Sequence, residues 1–488
     1  MTRARRPSPG GRAAGGRLSP WLNLLFGAVL LGLFAYLWWP GWSADRTGRL
    51  RVPDVSGARM VERHLSLYSG MGSEPAPLRA FYRFLFGRRE AVAAEAVAVY
   101  RDVLRYYARR PGRAESWSLH NTRVRLAILL AELGRWEEAE AALAVLGRSL
   151  EGAAMAAAVR VAYGRVPAAG KALAAARMGA GFLPAGWSAN RLRWHLARRL
   201  GDRATAARLE RRALARGERQ RLRVLQFTGL VAAVIGSGLA VGLWWWRRRR
   251  WPPPWSPAAP ERPWGLSDGA GVFFRSGVFG LLIFGAFLHW RPVVLGFPLA
   301  LWGTLFASLP MVWLIRRHLL APRGLGLVQG FGLHPLRLGP GRVLGLTAVL
   351  LAADLAGGLA INWGLWRLGI QPHWTEGLNE RWIWGPLPLA LMSGVDAVVW
   401  APLFEEIGFR GLLYLTLRAR LAPLPAAVAS ALVFSGTHLN SLAAFLAFFW
   451  SGLVWCYAVE RFRTLLPAML GHAAGNALSM ATMFMFYR

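Results

Sequence analysis

Eleven residues, APLFEEIGFRG (401–411), hold Glu405, Glu406 and Arg410 inside a half of the chain that is otherwise nearly continuous hydrocarbon. Ionisable groups at such positions are costly and mark function. On a helix, Glu406 and Arg410 are spaced i,i+4, share a face and can pair, which neutralises two of the three charges. Glu405 points about 100° away around the helix and is left over. The stretch VFSGTHLN contains His438, 33 residues after Glu405, and their midpoint falls at 421.5, within the LAP turn at 421–423. Residues equidistant from the turn of an antiparallel helical hairpin lie at one depth, so Glu405 and His438 are expected to face each other. Phe434, one turn before His438, would wall the same site. A third stretch, GHAAGN, carries His472 and Asn476 at i,i+4. Straight helices would leave His472 away from the depth of His438; Pro467 and the small residues at 471–475 offer a dip in the chain.

These residue types suit proton shuttling by a carboxylate, and a histidine and an asparagine can donate to a developing oxyanion. One membrane histidine often only bonds a carbonyl, and one Glu–Arg pair can be purely structural. A glutamate, two histidines, an asparagine and a salt-bridged pair together argue for chemistry.

The elements that must position them are membrane helices. The 488 residues are 55% hydrophobic with a mean hydropathy of +0.30, and several apolar runs reach the length of a span. The net charge of +34 is almost all arginine, with Lys171 the single lysine. Much of it sits in short loops beside apolar runs, as the positive-inside rule expects, so no nucleic-acid partner is inferred. Cys456 is the only cysteine, which excludes an intrachain disulfide and a cysteine-based zinc site.

Along the chain, a basic N-terminus (1–20) precedes an uncleaved anchor at 21–39. Residues 45–222 are polar and helical in period. LAILLAELGRWEEAEAAL (126–143) and WHLARRLGDRATAARLERRAL (194–214) resemble tetratricopeptide repeats, within a region of about 90–220. Gly134 and Gly201 lie 67 residues apart, near twice the usual period, with a degenerate copy around Gly164 between them. Such a domain would bind a peptide or protein partner on its concave face. A second anchor covers 224–246, then a basic and Pro-rich linker 247–265. The arginines on both anchor flanks place 45–222 outside the cytoplasmic (inner) membrane. The core, 270–488, is expected to contain about eight helices, with the run 386–420 broken at Pro402 into 386–400 and 402–420. Ten helices in all would put both termini inside, with Arg418, Arg420, Arg461 and Arg463 outside, against the positive-inside rule; joining 386–420 into one kinked span would repair the rule and leave nine helices with the C-terminus outside. The expected fold is thus all-α: a polytopic membrane bundle preceded by a helical-repeat soluble domain between two transmembrane anchors.

EEIGFR (405–410), FSGTH (434–438) and HAAGN (472–476) resemble the three motifs EExxxR, FxxxH and HxxxN of the CPBP family, the CAAX proteases and bacteriocin-processing enzymes, also called the Abi family. The resemblance covers about 270–488 and leaves 1–265 as an added module. It implies an intramembrane endopeptidase acting on a peptide or membrane-protein substrate. Glu405 with His438 would activate water, His472 and Asn476 would form the oxyanion hole, and Glu406 and Arg410 would hold the geometry. It implies no obligatory cofactor, with zinc on Glu405, His438 and His472 as the alternative. A rhomboid-like serine protease would use Ser435 and His472, but Val433 stands where its motif wants glycine. An aspartyl protease would use Asp354 and Asp396, but Val395 precedes the latter in place of glycine. A non-catalytic scaffold recruiting partners through the repeat domain is the reading from another class; a transporter would want an internal duplication that the core lacks.

Overall fold

The computed structural model describes residues 19–43, 46–110, 116–248, 264–294, 297–333, 339–376, 378–438 and 441–488. Most of the basic N-terminus and of the linker 247–265 lies outside them. The described chain is almost entirely helical, and its only strands are Val293–Val294 and Phe297–Pro298, an antiparallel pair of two residues each. Among the described residues six helices are long and apolar enough to cross a membrane: Arg203–Arg247, Leu266–Trp290, Leu299–Arg323, Pro340–Arg367, Leu387–Leu417 and Leu442–Phe462. Pro20–Tyr36 and Pro423–Thr437 are shorter apolar helices. The chain is an all-α, multi-pass membrane protein that divides into two compact units.

One unit comprises residues 1–43, 230–376 and 385–481. Its core is built from large aliphatic and aromatic side chains such as Ile315, Leu319, Phe331, Leu412 and Tyr414, all buried. Where helices must touch, small residues admit them. A Cβ on Gly452 would lie 2.6 Å from the Ala431 Cβ, so the helices Pro423–Thr437 and Leu442–Phe462 meet almost backbone to backbone.

The break expected at Pro402 does not occur. Leu387–Leu417 is one helical stretch of 31 residues, so the described core has seven long helical segments after residue 264, the number that a single kinked span over 386–420 gives. Proline normally breaks a helix because it lacks an N–H and its ring strikes the carbonyl four residues back. Here a π-helical turn, Asp396–Trp400, comes just before it, and a second π segment, Glu406–Tyr414, just after. The wider turn leaves room for the ring, and π turns of this kind gather at functional sites.

Joining the two segments also regroups the arginines. Thr464 Oγ1 donates to the Gly332 carbonyl at 2.6 Å and Leu465 N–H to the Phe331 carbonyl at 3.2 Å. Arg418 grips Glu460 with Nε and Nη2 at 3.0 and 2.9 Å, and the Tyr414 hydroxyl donates to the same carboxylate at 2.6 Å. The turns near 321–333, 418–422 and 462–465 therefore share one end of the core, bringing Arg323, Arg418, Arg420, Arg461 and Arg463 to the same side. The ten-helix count separated them.

The second unit comprises residues 44–229, 377–384 and 482–488. Its helices pack as hairpins closed by Gly134, Gly164 and Gly201, each in the left-handed conformation at φ +74°, +78° and +70°. The residue after each glycine donates its N–H five residues back, Arg135 to Leu130, Arg165 to Arg160 and Asp202 to Ala197, at 2.8 to 2.9 Å. This is one helix-ending motif used three times, and it needs a residue without a Cβ penalty. Glu132, at the end of Ser116–Glu132, accepts from Tyr163 at 2.7 Å, Arg191 at 2.9 Å and His195 at 2.7 Å. Burial disfavours its charge, but the hydrogen bonds from His195, Arg191 and Tyr163 outweigh it and hold the pKa down to about 2. Glu380 accepts from the backbone N–H groups of Arg51 and Val52 at 2.7 and 3.2 Å and from the Ser56 hydroxyl at 2.5 Å. It thereby caps Pro53–Leu67, whose own N-cap residue, Val52, has no side-chain acceptor.

Candidate active site

The three motifs meet inside the first unit. Glu405 ends the short α-helical stretch Ala401–Glu405 between the two π segments, and His438 caps Pro423–Thr437. The hairpin register is visible in neighbouring contacts. Phe409 and Phe434, which share the midpoint 421.5, touch edge-on with ring centroids 5.1 Å apart, and Ser430 Oγ donates to the Phe409 carbonyl at 2.9 Å. Glu405 Oε2 lies 3.9 Å from His438 Nε2.

His472 comes to the same place. Its Nε2 is also 3.9 Å from Glu405 Oε2, while its Nδ1 is 2.9 Å from Glu406 Oε1. Glu406 Oε1 accepts from Arg410 Nη1 as well, at 3.0 Å. Glu406 and Arg410 are fully buried. The guanidinium carbon sits 4.2 Å from the centre of the Phe434 ring, a desolvated cation over an aromatic face. The Arg–Glu–His chain is therefore one connected group, and its depth explains why spacing alone did not reach His472. The bond to Glu406 ties His472 to the helix that carries Glu405.

The hydrogen bonds orient both rings. A carboxylate offers only acceptors, so His472 donates its Nδ1–H to Glu406 and presents Nε2 to Glu405. The His438 Nδ1 lies 2.9 Å from the Phe434 carbonyl, which can only accept, so this ring too turns Nε2 toward Glu405. Phe434 stands beside both imidazoles, at 4.8 Å from His438 and 6.1 Å from His472 between centroids. Glu405 Oε2 is buried, has no hydrogen-bond partner, and is equidistant from two imidazole nitrogens. At 3.9 Å neither contact is a direct hydrogen bond, but a water molecule bonded to both groups spans such a gap.

Asn476 lies one turn beyond His472. Its Nδ2 donates to the Ala397 carbonyl at 2.7 Å, on the helix that carries Glu405. The residues considered for other mechanisms are occupied elsewhere. Ser435 is fully buried and its hydroxyl donates to the Phe445 carbonyl. Asp354 accepts from Ser451, and Asp396 accepts from Thr304 at 2.9 Å, so the two aspartates serve different helix contacts. Among the described residues no group of three or more His, Cys, Asp and Glu side chains is arranged to hold a metal ion. The Arg418–Tyr414–Glu460 cluster escaped the sequence reading. Its signal is Glu460 itself, the single acidic residue of Leu442–Phe462, which in an apolar helix requires a partner.

No curated protein and no solved structure matches the chain. Residues 386–478, which hold Glu405, Glu406, Arg410, His438, His472 and Asn476, match the family model described as type II CAAX prenyl endopeptidase, Rce1-like. That stretch is narrower than the 270–488 over which a resemblance was expected, and over it the chain is similar to the Rce1-like CAAX endopeptidases.

Proposed function

We propose that the protein is a CPBP-type intramembrane endopeptidase that hydrolyses peptide bonds with a glutamate-activated water. The observation that carries this reading is the buried, unpartnered Glu405 Oε2 set 3.9 Å from the Nε2 atoms of both His438 and His472. Water held between Glu405 and His438 gives a proton to Glu405 as its oxygen attacks the scissile carbonyl. The oxyanion that forms accepts hydrogen bonds from His472 Nε2–H and from the second N–H of the Asn476 amide. For His472 to donate there while its Nδ1–H is on Glu406, the ring must be protonated. The proton on Glu405 then passes to the leaving amine, and the peptide C–N bond breaks. Oriented donors of this kind in a site shielded from water are among the largest contributions to such catalysis.

The matched family is named for prenylated substrates; for this chain we assign the broader class of membrane-associated polypeptides. The arginine-rich end of the core faces the cytoplasm by the positive-inside rule. The anchor flanks then put residues 45–222 on the outer side, where the hairpins offer a surface for a peptide or protein partner.

Purified protein in lipid nanodiscs tests the reading against internally quenched peptides, prenylated and membrane-spanning. Cleavage that is lost in Glu405→Ala and in His438→Ala supports it. Full cleavage by both variants, or loss with Ser435→Ala alone, overturns it. Failure to cleave any substrate retained by Glu405→Ala in trapping experiments would favour a scaffold.

A further inference from the structure

We infer that Pro402 is a positioning residue for Asn476: by removing one backbone N–H it leaves the Ala397 carbonyl for the asparagine to occupy. In a regular α-helix the Ala397 carbonyl would accept from the N–H of Ala401. Across the π turn Asp396–Trp400 that N–H goes instead to the Asp396 carbonyl, five residues back. The next donor in the π pattern is residue 402, which is proline and has no N–H. The Ala397 carbonyl has lost both of its helical donors. A backbone carbonyl left unpaired at membrane depth is costly, and the partner that meets it is Asn476 Nδ2 at 2.7 Å.

The consequence is geometric. A carboxamide nitrogen has two N–H groups in one plane. With one fixed on Ala397, the direction of the other is set. Both polar residues of HAAGN are then docked on the same helix, on either side of Pro402: His472 through Glu406, four residues after it, and Asn476 through Ala397, five residues before it. Proline, π turn and asparagine form one device. The catalytic part of this inference rests on the proposed endopeptidase reading; the docking of Asn476 does not.

The experiment therefore has two readouts. Protein labelled with ¹⁵N-asparagine gives side-chain amide signals in nanodiscs, and that of Asn476 is identified by its absence in Asn476→Ala. In the wild-type chain the Asn476 amide protons are expected to exchange with solvent slowly. In Pro402→Ala, where a backbone N–H is restored, they are expected to exchange at least about tenfold faster, with the unfolding midpoint kept or raised because the substitution favours a helix. Peptide cleavage by Pro402→Ala should then show kcat lowered by about tenfold or more with KM nearly unchanged, since a displaced oxyanion donor acts on the transition state. The double variant Pro402→Ala/Asn476→Ala should be no slower than Asn476→Ala. Fast exchange of the wild-type Asn476 amide overturns the inference without any variant. Unchanged protection in folded Pro402→Ala, or additive kcat losses in the double variant, overturns it as well. If no substrate is cleaved, the endopeptidase reading falls, and the exchange data alone decide the docking.

Discussion

Replacing Arg410 by methionine should unfold the core far more readily than replacing Arg410 and Glu406 together. Methionine keeps the length and apolar stem of arginine but removes the charge. The structure sets the cost. Arg410 is fully buried, donates to Glu406 at 3.0 Å and covers the Phe434 ring at 4.2 Å. Removing one member of a buried pair costs about 3–5 kcal/mol, because the other charge stays in the low-dielectric interior. The lost contact with Phe434 adds up to about 2 kcal/mol. Glu406 keeps one donor, His472 Nδ1 at 2.9 Å, so the lower part of the combined range applies, about 3–5 kcal/mol. That corresponds to a shift of about 10² to 10³ or more in the ratio of folded to unfolded protein, at roughly 1.4 kcal/mol for each factor of ten. Glu406→Leu/Arg410→Met removes both charges, and buried pairs replaced by apolar residues are often neutral in stability. It should lie within about 1–2 kcal/mol of wild type by the same rule.

Equilibrium unfolding in mixed detergent micelles measures all four corners of the cycle. A coupling of at least about 2 kcal/mol is expected for residues in one buried network. Stability of Arg410→Met within about 1 kcal/mol of wild type, or additive single effects, would refute the claim that this pair holds the core together. The double variant also separates stability from chemistry. It leaves His472 Nδ1 without its acceptor, so peptide cleavage should fall at least about tenfold although the fold is recovered. Cleavage at the wild-type rate would show that Glu406 does not orient His472.

Other expectations are independent of that pair. Chelators should leave peptide cleavage intact; complete loss that zinc alone restores would refute the metal-independent mechanism. Glu132 contributes stability that is present above about pH 4.5 and is lost as pH falls toward its folded pKa of about 2. Its depressed value corresponds to about 3 kcal/mol, so the stability gap between wild type and Glu132→Gln should narrow by about 2 kcal/mol from pH 6 to pH 3, and a constant gap would refute the assignment. Glu380→Ala removes the acceptor at the start of Pro53–Leu67 and should destabilise the second unit by about 1 kcal/mol, as lost caps do; unfolding of the variant followed by hydrogen exchange in residues 51–67 checks it.

How much of this was legible in the chain depends on the range over which each constraint acts. The pairing of Glu406 with Arg410 and the meeting of Glu405 with His438 follow from local helix spacing and one short turn. Both could be reasoned from residue numbers, as could the helix-ending glycines Gly134, Gly164 and Gly201. Pro402 was legible as an exception to helix formation, and the sequence left two outcomes open, a break or one kinked span over 386–420. A proline's local effect depends on whether neighbouring turns widen, and two π segments do so here. His472 was beyond reach for a related reason. Its partner is Glu406, the residue that seemed already satisfied by Arg410, and one carboxylate oxygen serves both. Counting charges on one helix therefore assigned Glu406 to structure alone. The geometry gives it two tasks that cannot be separated by spacing: it neutralises a buried guanidinium and aims an imidazole at Glu405. The same logic applies to Asn476, whose partner is a carbonyl that only becomes available because of a proline on another helix. In a membrane core every backbone polar group must be met, so an irregular turn and a polar side chain elsewhere explain each other, and neither is interpretable by itself.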